Sequence, residues 1–166
     1  TEVHAVQERL KLTHQLLHEA SSLARLGSWE GVPGKGVTYW SDICCEIHGM
    51  PAGTPAPADY VDRFIAPEWR DKVRELSRVE RENHMIWDME FEIMRVDGQR
   101  VWVRVRSETV MQDGKLVKVR GVLQDIDNMR RASERMIASE MRFERIFHSL
   151  PLPLGFVRDD TGEFVD

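Results

Sequence analysis

His14 and His18 stand four residues apart, so on a helix they share one face at a spacing where two imidazoles can reach one metal ion. No third ligand stands with them, and they read as exposed polar positions. Cys44 and Cys45 are adjacent, which permits a disulfide only with strain and does not make the CxxC spacing of a zinc site. They read as one buried and one half-buried side chain on a short helix. His48 falls at the end of that helix and His84 just beyond a longer one; a lone histidine near a core is most often structural. The chain shows no Gly-rich phosphate loop, no Ser/His/Asp set and no paired carboxylates in a plausible cleft. By itself it is expected to catalyse nothing.

Charge and composition narrow the classes further. The net charge of −5, from 23 Lys and Arg against 28 Asp and Glu, gives a nucleic-acid backbone nothing to hold. An apolar content of 42% among 166 residues is enough for a real core. No apolar run approaches the roughly 20 residues that span a bilayer, so no direct membrane contact is expected. The cysteine usage fits a reducing, cytoplasmic compartment. The opening at Thr1, without Met or signal peptide, reads as a piece of a longer protein, which leaves any membrane anchor to the parent.

The elements that must position these groups follow from periodicity. Val3, Leu10, Leu17 and Ala24 recur every seven residues, with Val6, Thr13 and Ala20 between them, predicting a coiled-coil-like helix over 1–25 that Gly27 ends. Ser28–Val32 and Val37–Trp40 flank Pro33-Gly34-Lys35-Gly36, a hairpin signal. Ser41 or Asp42 can cap a helix through His48, closed by Gly49. A Pro/Gly loop follows at Pro51–Pro57, then a short helix near Ala58–Ile65 and a longer one, Glu68–Asn83, started by Pro67.

The strand pattern is clearest after that. Trp87, Met89, Phe91 and Ile93 alternate with acids, and Val101, Val103 and Val105 alternate with Trp102, Arg104 and Arg106. Both apolar sets are odd-numbered, so antiparallel partners sum to an even number. This excludes a two-residue Asp-Gly turn and favours a three-residue loop, Asp97-Gly98-Gln99, with Glu92 facing Arg104 and Glu90 facing Arg106. Asp113-Gly114 turns into a strand over Leu116–Asp125, with Val117, Val119, Gly121 and Leu123 inward. Met129, Ala132, Met136, Ser139, Phe143, Ile146 and Leu150 then step by three and four, a heptad seam over 128–150 stopped by Pro151. Leu154–Asp166 reads as the opening strand and turn (Asp160-Thr161-Gly162) of a following domain, truncated at 151–166 and without a sheet to join.

Leu26-Gly27-Ser28-Trp29-Glu30, Tyr39-Trp40-Ser41-Asp42 and Glu46-Ile47-His48-Gly49-Met50-Pro51 resemble the PAS domain in its PAS/PAC sensor form. So do Arg95-Val96-Asp97-Gly98, Trp102-Val103-Arg104-Val105-Arg106 and Gly121-Val122-Leu123-Gln124-Asp125-Ile126-Asp127. Ser139-Glu140, Arg142-Phe143 and Phe147 through Pro151 resemble a linker into a second PAS repeat. The resemblance implies an α+β fold over 26–127: a five-stranded antiparallel sheet with short helices on one face, flanked by N- and C-terminal helices. It further implies a bacterial sensor upstream of a histidine kinase or diguanylate cyclase output domain in the same chain. The family's Asp-Ile-Thr is Asp125-Ile126-Asp127 here, with Asp127 able to cap the following helix. Its His-Pro-Glu-Asp is Ala66-Pro67-Glu68-Trp69, which loses a capping side chain.

Within that frame a pocket lies between the sheet's inner face (Trp87, Met89, Phe91, Val103, Val105, Val119, Gly121, Leu123) and Ile43, Ile47 and Phe64. This set lacks polar groups and equally describes a filled core, so no cofactor is predicted and any ligand is small and apolar. Flavin photochemistry of the LOV branch requires an Asn-Cys-Arg-Phe-Leu-Gln setting that is absent, and an inward Gln where this chain has Leu123, with Gln124 outward. Haem through His84 is the lesser alternative, giving a gas or redox sensor. His18-Glu19 resembles a phosphoacceptor box but lacks the proline after it and any ATP lid. The expected action is a relay from the last strand through Asp125, Ile126 and Asp127 into a homodimeric seam of Met129, Ala132, Met136, Phe143 and Ile146. A ligand-free protein–protein scaffold is the rival reading.

Overall fold

The structure is a computed structural model that describes residues 1–149 and two short strands at 156–157 and 164–165. It divides into two units, Thr1–Asn128 and Met129–Asp166.

In the first unit, helix α1 (Glu2–Leu23) buries none of its residues, as a narrow seam predicts. It ends at Arg25, whose φ of +50° turns the chain, and not at Gly27, which lies inside strand β1 (Leu26–Val32). Gly27 serves close packing instead: a Cβ there would sit 2.4 Å from the Cys44 sulfur. Strand β2 (Gly36–Trp40) returns along β1, and helix α2 (Asp42–His48) follows with Ser41 as its N-cap and Gly49 closing it. Both cysteines are buried on α2, which corrects the expectation of one half-buried thiol. Helices α3 (Tyr60–Phe64) and α4 (Pro67–Asn83) complete the helical layer. Ala66 supplies no side-chain cap to α4, and Pro67 takes the first turn.

Strands β3 (Trp87–Met94), β4 (Arg100–Gln112) and β5 (Lys115–Asp125) complete one antiparallel sheet in the order β2-β1-β5-β4-β3. Partners on β3 and β4 sum to an even number as parity requires, but the register is displaced: Glu90 faces Arg104, Glu92 faces Trp102 and Asp88 faces Arg106. The three-residue loop is Val96-Asp97-Gly98, closed by the Arg95 N–H donating to the Gln99 carbonyl at 2.9 Å, with Gly98 at φ +83°. Asp97 fixes this placement by accepting from the Gln99 N–H at 3.0 Å. The β4–β5 ladder shifts between Val110 and Met111, with Val110 opposite Lys118 and Met111 opposite Leu116. Val117 is the extra residue of this bulge and is 41% exposed, so it does not join the inner face.

Helix α5 (Asp127–Ser149) begins in the first unit and continues in the second, with no buried residue. Its expected seam residues Met129, Ala132, Met136, Phe143 and Ile146 are exposed; Leu150 and Pro151 lie outside the described residues. The expected strand of a following domain falls at β6 (Phe156–Val157), which is paired antiparallel with β7 (Phe164–Val165). It thus has a partner that the sequence reading did not give it. The turn expected at 160–162 is outside the described residues.

Candidate functional site

Between the sheet and helices α2, α3 and α4 lies a cavity of about 460 Å³. Its sheet side is built from Trp29, Trp40, Trp87, Phe91, Val105, Val119 and Leu123, and its helical side from Cys44, His48, Tyr60, Val61, Ile65, Val73, Ser77 and Glu80. The β1–β2 hairpin from Gly31 to Gly36 and the α4 residues Arg74, Arg78 and Arg81 border it. Of the residues expected to line a pocket, Trp87, Phe91, Val105, Val119 and Leu123 do so. Ile47, Phe64 and Val103 are packed in the core, with Met89 against it, and Ile43 faces a second concavity beside α1. Gly121 lies under Trp29: a Cβ there would come within 2.8 Å of the indole.

The space is left unfilled at the hairpin end, and its wall carries polar groups that the expected lining lacked. Gly31, Gly34 and Gly36 add no side-chain volume at the hairpin end, and Val117, expected to fill the inner face, is at the bulge. The polar groups come from the helices, where strand alternation says nothing.

His48 is the first of them. The Ser41 hydroxyl accepts from the N–H of Cys44 at the start of α2. At its end, Arg95 donates to the Ile47 carbonyl at 3.0 Å and the Val96 N–H to the His48 carbonyl at 3.1 Å. The ring, 1% exposed, has Nδ1 at 2.6 Å from the Cys44 carbonyl and Nε2 at 3.1 Å from the Tyr60 hydroxyl. A carbonyl only accepts, so Nδ1 carries the proton and Nε2 accepts from Tyr60. Burial, aided by the nearby Arg95 charge, lowers the imidazole to about 4, so the ring is neutral at pH 7. Burial likewise pushes the Tyr60 phenol above its ordinary range and the Cys44 thiol up to about 11. Trp40, His48, Tyr60 and Phe64 form one aromatic cluster, with His48 4.9 Å from Trp40 and 4.8 Å from Phe64.

Glu80 is the second. It lies in the last turns of α4 and is 2% exposed. One oxygen accepts from Ser107 Oγ at 2.6 Å and the other from Trp87 Nε1 at 2.8 Å, so α4, β3 and β4 converge on one carboxyl. Burial raises its pKa, opposed by the two donors. Sequence reasoning missed this group, although two signals mark it. Glu80 follows the buried Val73 by seven residues on α4, and Ser107 continues the inward series Val101, Val103, Val105.

The PAS fold matches residues 37–123, more than half of the chain. The chain belongs to the PAS-fold family. No curated protein matches it in sequence. Among solved structures, it is similar to a sensory box histidine kinase/response regulator from Burkholderia thailandensis E264, at 20% identity and TM-score 0.62, covering 78% of this chain and 98% of that one. It is also similar to the N-terminal domain of a diguanylate cyclase with PAS/PAC sensor from Marinobacter aquaeolei, at 20% identity and TM-score 0.57, covering 63% and 98%. A light-oxygen-voltage domain studied with a flavin analogue matches at 18% identity and TM-score 0.54, covering 75% and 95%. At these identities the likeness is one of fold.

In this PAS core Leu123 points into the cavity, whereas Gln124 bonds outward to the Ala24 carbonyl at 3.4 Å. The residues do not fit the LOV use of flavin, because the inward position holds Leu123 and the wall thiol Cys44 is tied to the Ser28 carbonyl. His84, the haem candidate, is exposed at the left-handed end of α4 with φ +53° and does not line the cavity. His14 and His18 are exposed, and no group of three potential metal ligands occurs among the described residues. No helix among the described residues is long and apolar enough to cross a membrane.

The strand-to-helix junction is more tightly tied than the sequence indicated. Asp125 Oδ2 accepts from Arg25 Nε at 2.8 Å, and its Oδ1 accepts from the Asp127 N–H at 3.0 Å. Asp125 thus takes the N–H of Asp127, the first residue of α5. Asp127 Oδ1 accepts from the Trp102 N–H at 3.2 Å, and the buried Ile126 donates its N–H to the Trp102 carbonyl at 3.0 Å.

Proposed function

We propose that this PAS domain is the sensory and dimerisation module of a signal-transduction protein of the histidine kinase or diguanylate cyclase type. A small ligand in the cavity sets the packing of β5, and β5 passes that state to α5 through Asp125, Ile126 and Asp127. The observation that carries this reading is the 460 Å³ cavity whose floor includes Val119 and Leu123 of β5, the strand that runs into α5. Asp125 is the joint: it holds Arg25 at the end of α1 and the first N–H of α5 at once. A shift of β5 therefore changes the anchorage of both flanking helices. The seam of Met129, Met136, Phe143 and Ile146 pairs with that of a second copy, and α5 leads to an output domain that supplies the catalysis. This reading keeps the module free of enzymatic activity of its own.

The test is native mass spectrometry of the purified chain, followed by signalling assays of Asp125→Ala in the parent protein. A retained or added ligand, with normal occupancy but lost output in Asp125→Ala, is the expected result. Unaltered output in that variant overturns the relay, and failure of every probe to occupy the cavity leaves a ligand-free scaffold.

A further inference from the structure

The two polar groups of the cavity wall differ in what they leave for a ligand. His48 is used up, with both ring nitrogens bonded inside the fold. Glu80 is not. Each of its oxygens accepts one hydrogen bond, from Ser107 or Trp87, and retains a lone pair. No salt bridge reaches Glu80 among the described residues; Arg81, next in the chain, is exposed and acts on it only through space. A carboxyl so deeply buried without a cation is a costly arrangement, and a cation arriving in the cavity offsets that cost.

The rest of the wall is suited to the same visitor. Trp29, Trp40, Tyr60, Trp87 and Phe91 all line the cavity, and aromatic faces attract cations. Of the three arginines at its border, two already have acid partners and the third, Arg81, is exposed. Arg74 is paired with Asp62 and Asp71, and Arg78 with Glu75 and Glu82.

Resting on the ligand-sensing reading above, we propose that the cavity takes a small organic cation, an alkyl- or arylammonium, with its charge against Glu80 and its apolar body among the tryptophans. This replaces the sequence expectation of a purely apolar ligand.

The experiment compares isosteres that differ in charge: benzyltrimethylammonium and neopentylbenzene, with 3-phenylpropionate as the anion. Binding to the full 166-residue chain is read by amide and indole NMR shifts of cavity residues. The ammonium is expected to bind about tenfold or more tightly than the neutral isostere, a difference typical of desolvated cation–π and ionic contact. Glu80→Gln should remove the ionic share of that preference, lowering ammonium affinity several-fold, and leave the neutral probe unchanged. Equal binding of ammonium and neutral probe, or preference for the anion, overturns the cation assignment while leaving a ligand-binding cavity. If none of the three shifts the cavity residues, the ligand-sensing reading falls with it. The wild-type charge comparison stands without the variant should Glu80→Gln unfold.

Discussion

His48 and Glu80 are both buried ionisable groups in one cavity wall, and burial, which disfavours charge on each, moves their pKa values in opposite directions. The imidazole loses its charge and becomes a fixed neutral link between the Cys44 carbonyl and the Tyr60 hydroxyl. The carboxyl keeps two donors but gains no cation. One group is a strut, fully satisfied by its own fold; the other holds unspent acceptor capacity in the cavity wall. Burial alone does not mark a binding group. The decisive feature is what remains unpaired after the fold has made its own bonds.

The comparison can be broken most forcefully at Ser107. Ser107→Ala deprives one Glu80 oxygen of its donor and should cost about 2–3 kcal/mol in chemical denaturation, since the acceptor left alone is buried and potentially charged. A loss below about 0.5 kcal/mol would mean that water reaches Glu80 and that its burial is not decisive.

Next in size is the acid limb of the stability curve. The folded His48 titrates at about 4, below its ordinary 6.5, so between these values the unfolded chain binds a proton that the folded one refuses. Stability is lost as pH falls through that window, by about 2 kcal/mol between pH 7 and pH 5 from this group. Comparing wild type with His48→Gln at both pH values isolates the contribution, which the variant should lack.

Glu80 has the opposite sign. Its folded carboxyl is raised, so acidification through the raised value protonates the folded state first and adds stability, down to the ordinary carboxylate range. Glu80→Gln should abolish that gain, seen as a flatter stability curve on the mildly acidic side. An unchanged curve would place Glu80 with the satisfied groups.

Tyr60→Phe is expected to cost less, about 1 kcal/mol, because both the phenol and its partner nitrogen are neutral. The variant's imidazole should also titrate differently by NMR, having lost the donor at Nε2. The smallest change lies outside the cavity. Arg25→Ala removes a half-exposed ion pair with Asp125 and should alter stability by under about 1 kcal/mol, while loosening amide protection at Leu26 and Gln124.

The sheet was legible because its residues announce themselves with a period of two: Phe91, Ile93, Val101, Val103, Val105, Val119 and Leu123 lie inward where alternation put them. The seam residues of α5 are exposed for a similar reason, a heptad pattern with no core to face. The register of β3 and β4 was not legible to the last step. Parity restricted it to even sums, and the choice among them was made by Asp97 bonding the Gln99 N–H. The place of the cavity was legible, but not its emptiness, because a residue's inward direction does not say whether the space before it is filled. Val117 looked inward by alternation and is turned out by a bulge. Glu80 was hidden among the many charges of α4, where only its distance of seven from Val73 distinguished it from its solvated neighbours.

The tie between Arg25 and Asp125 has a mechanical meaning. Leu26 pairs with Gln124 at the end of the ladder where the chain enters β1 and leaves β5. Tension applied through the two flanking helices pulls these adjacent ends apart, so the strands open pair by pair like a zipper and do not slide past one another in shear. The Arg25–Asp125 clasp, together with the bonds from Ile126 and Asp127 to Trp102, is the first to bear the load. Beneath it the pairs from Leu26–Gln124 to Gly31–Val119 part in sequence, each at low force. Stretched in an optical trap, the domain should therefore open at its clasp before its cavity is disturbed.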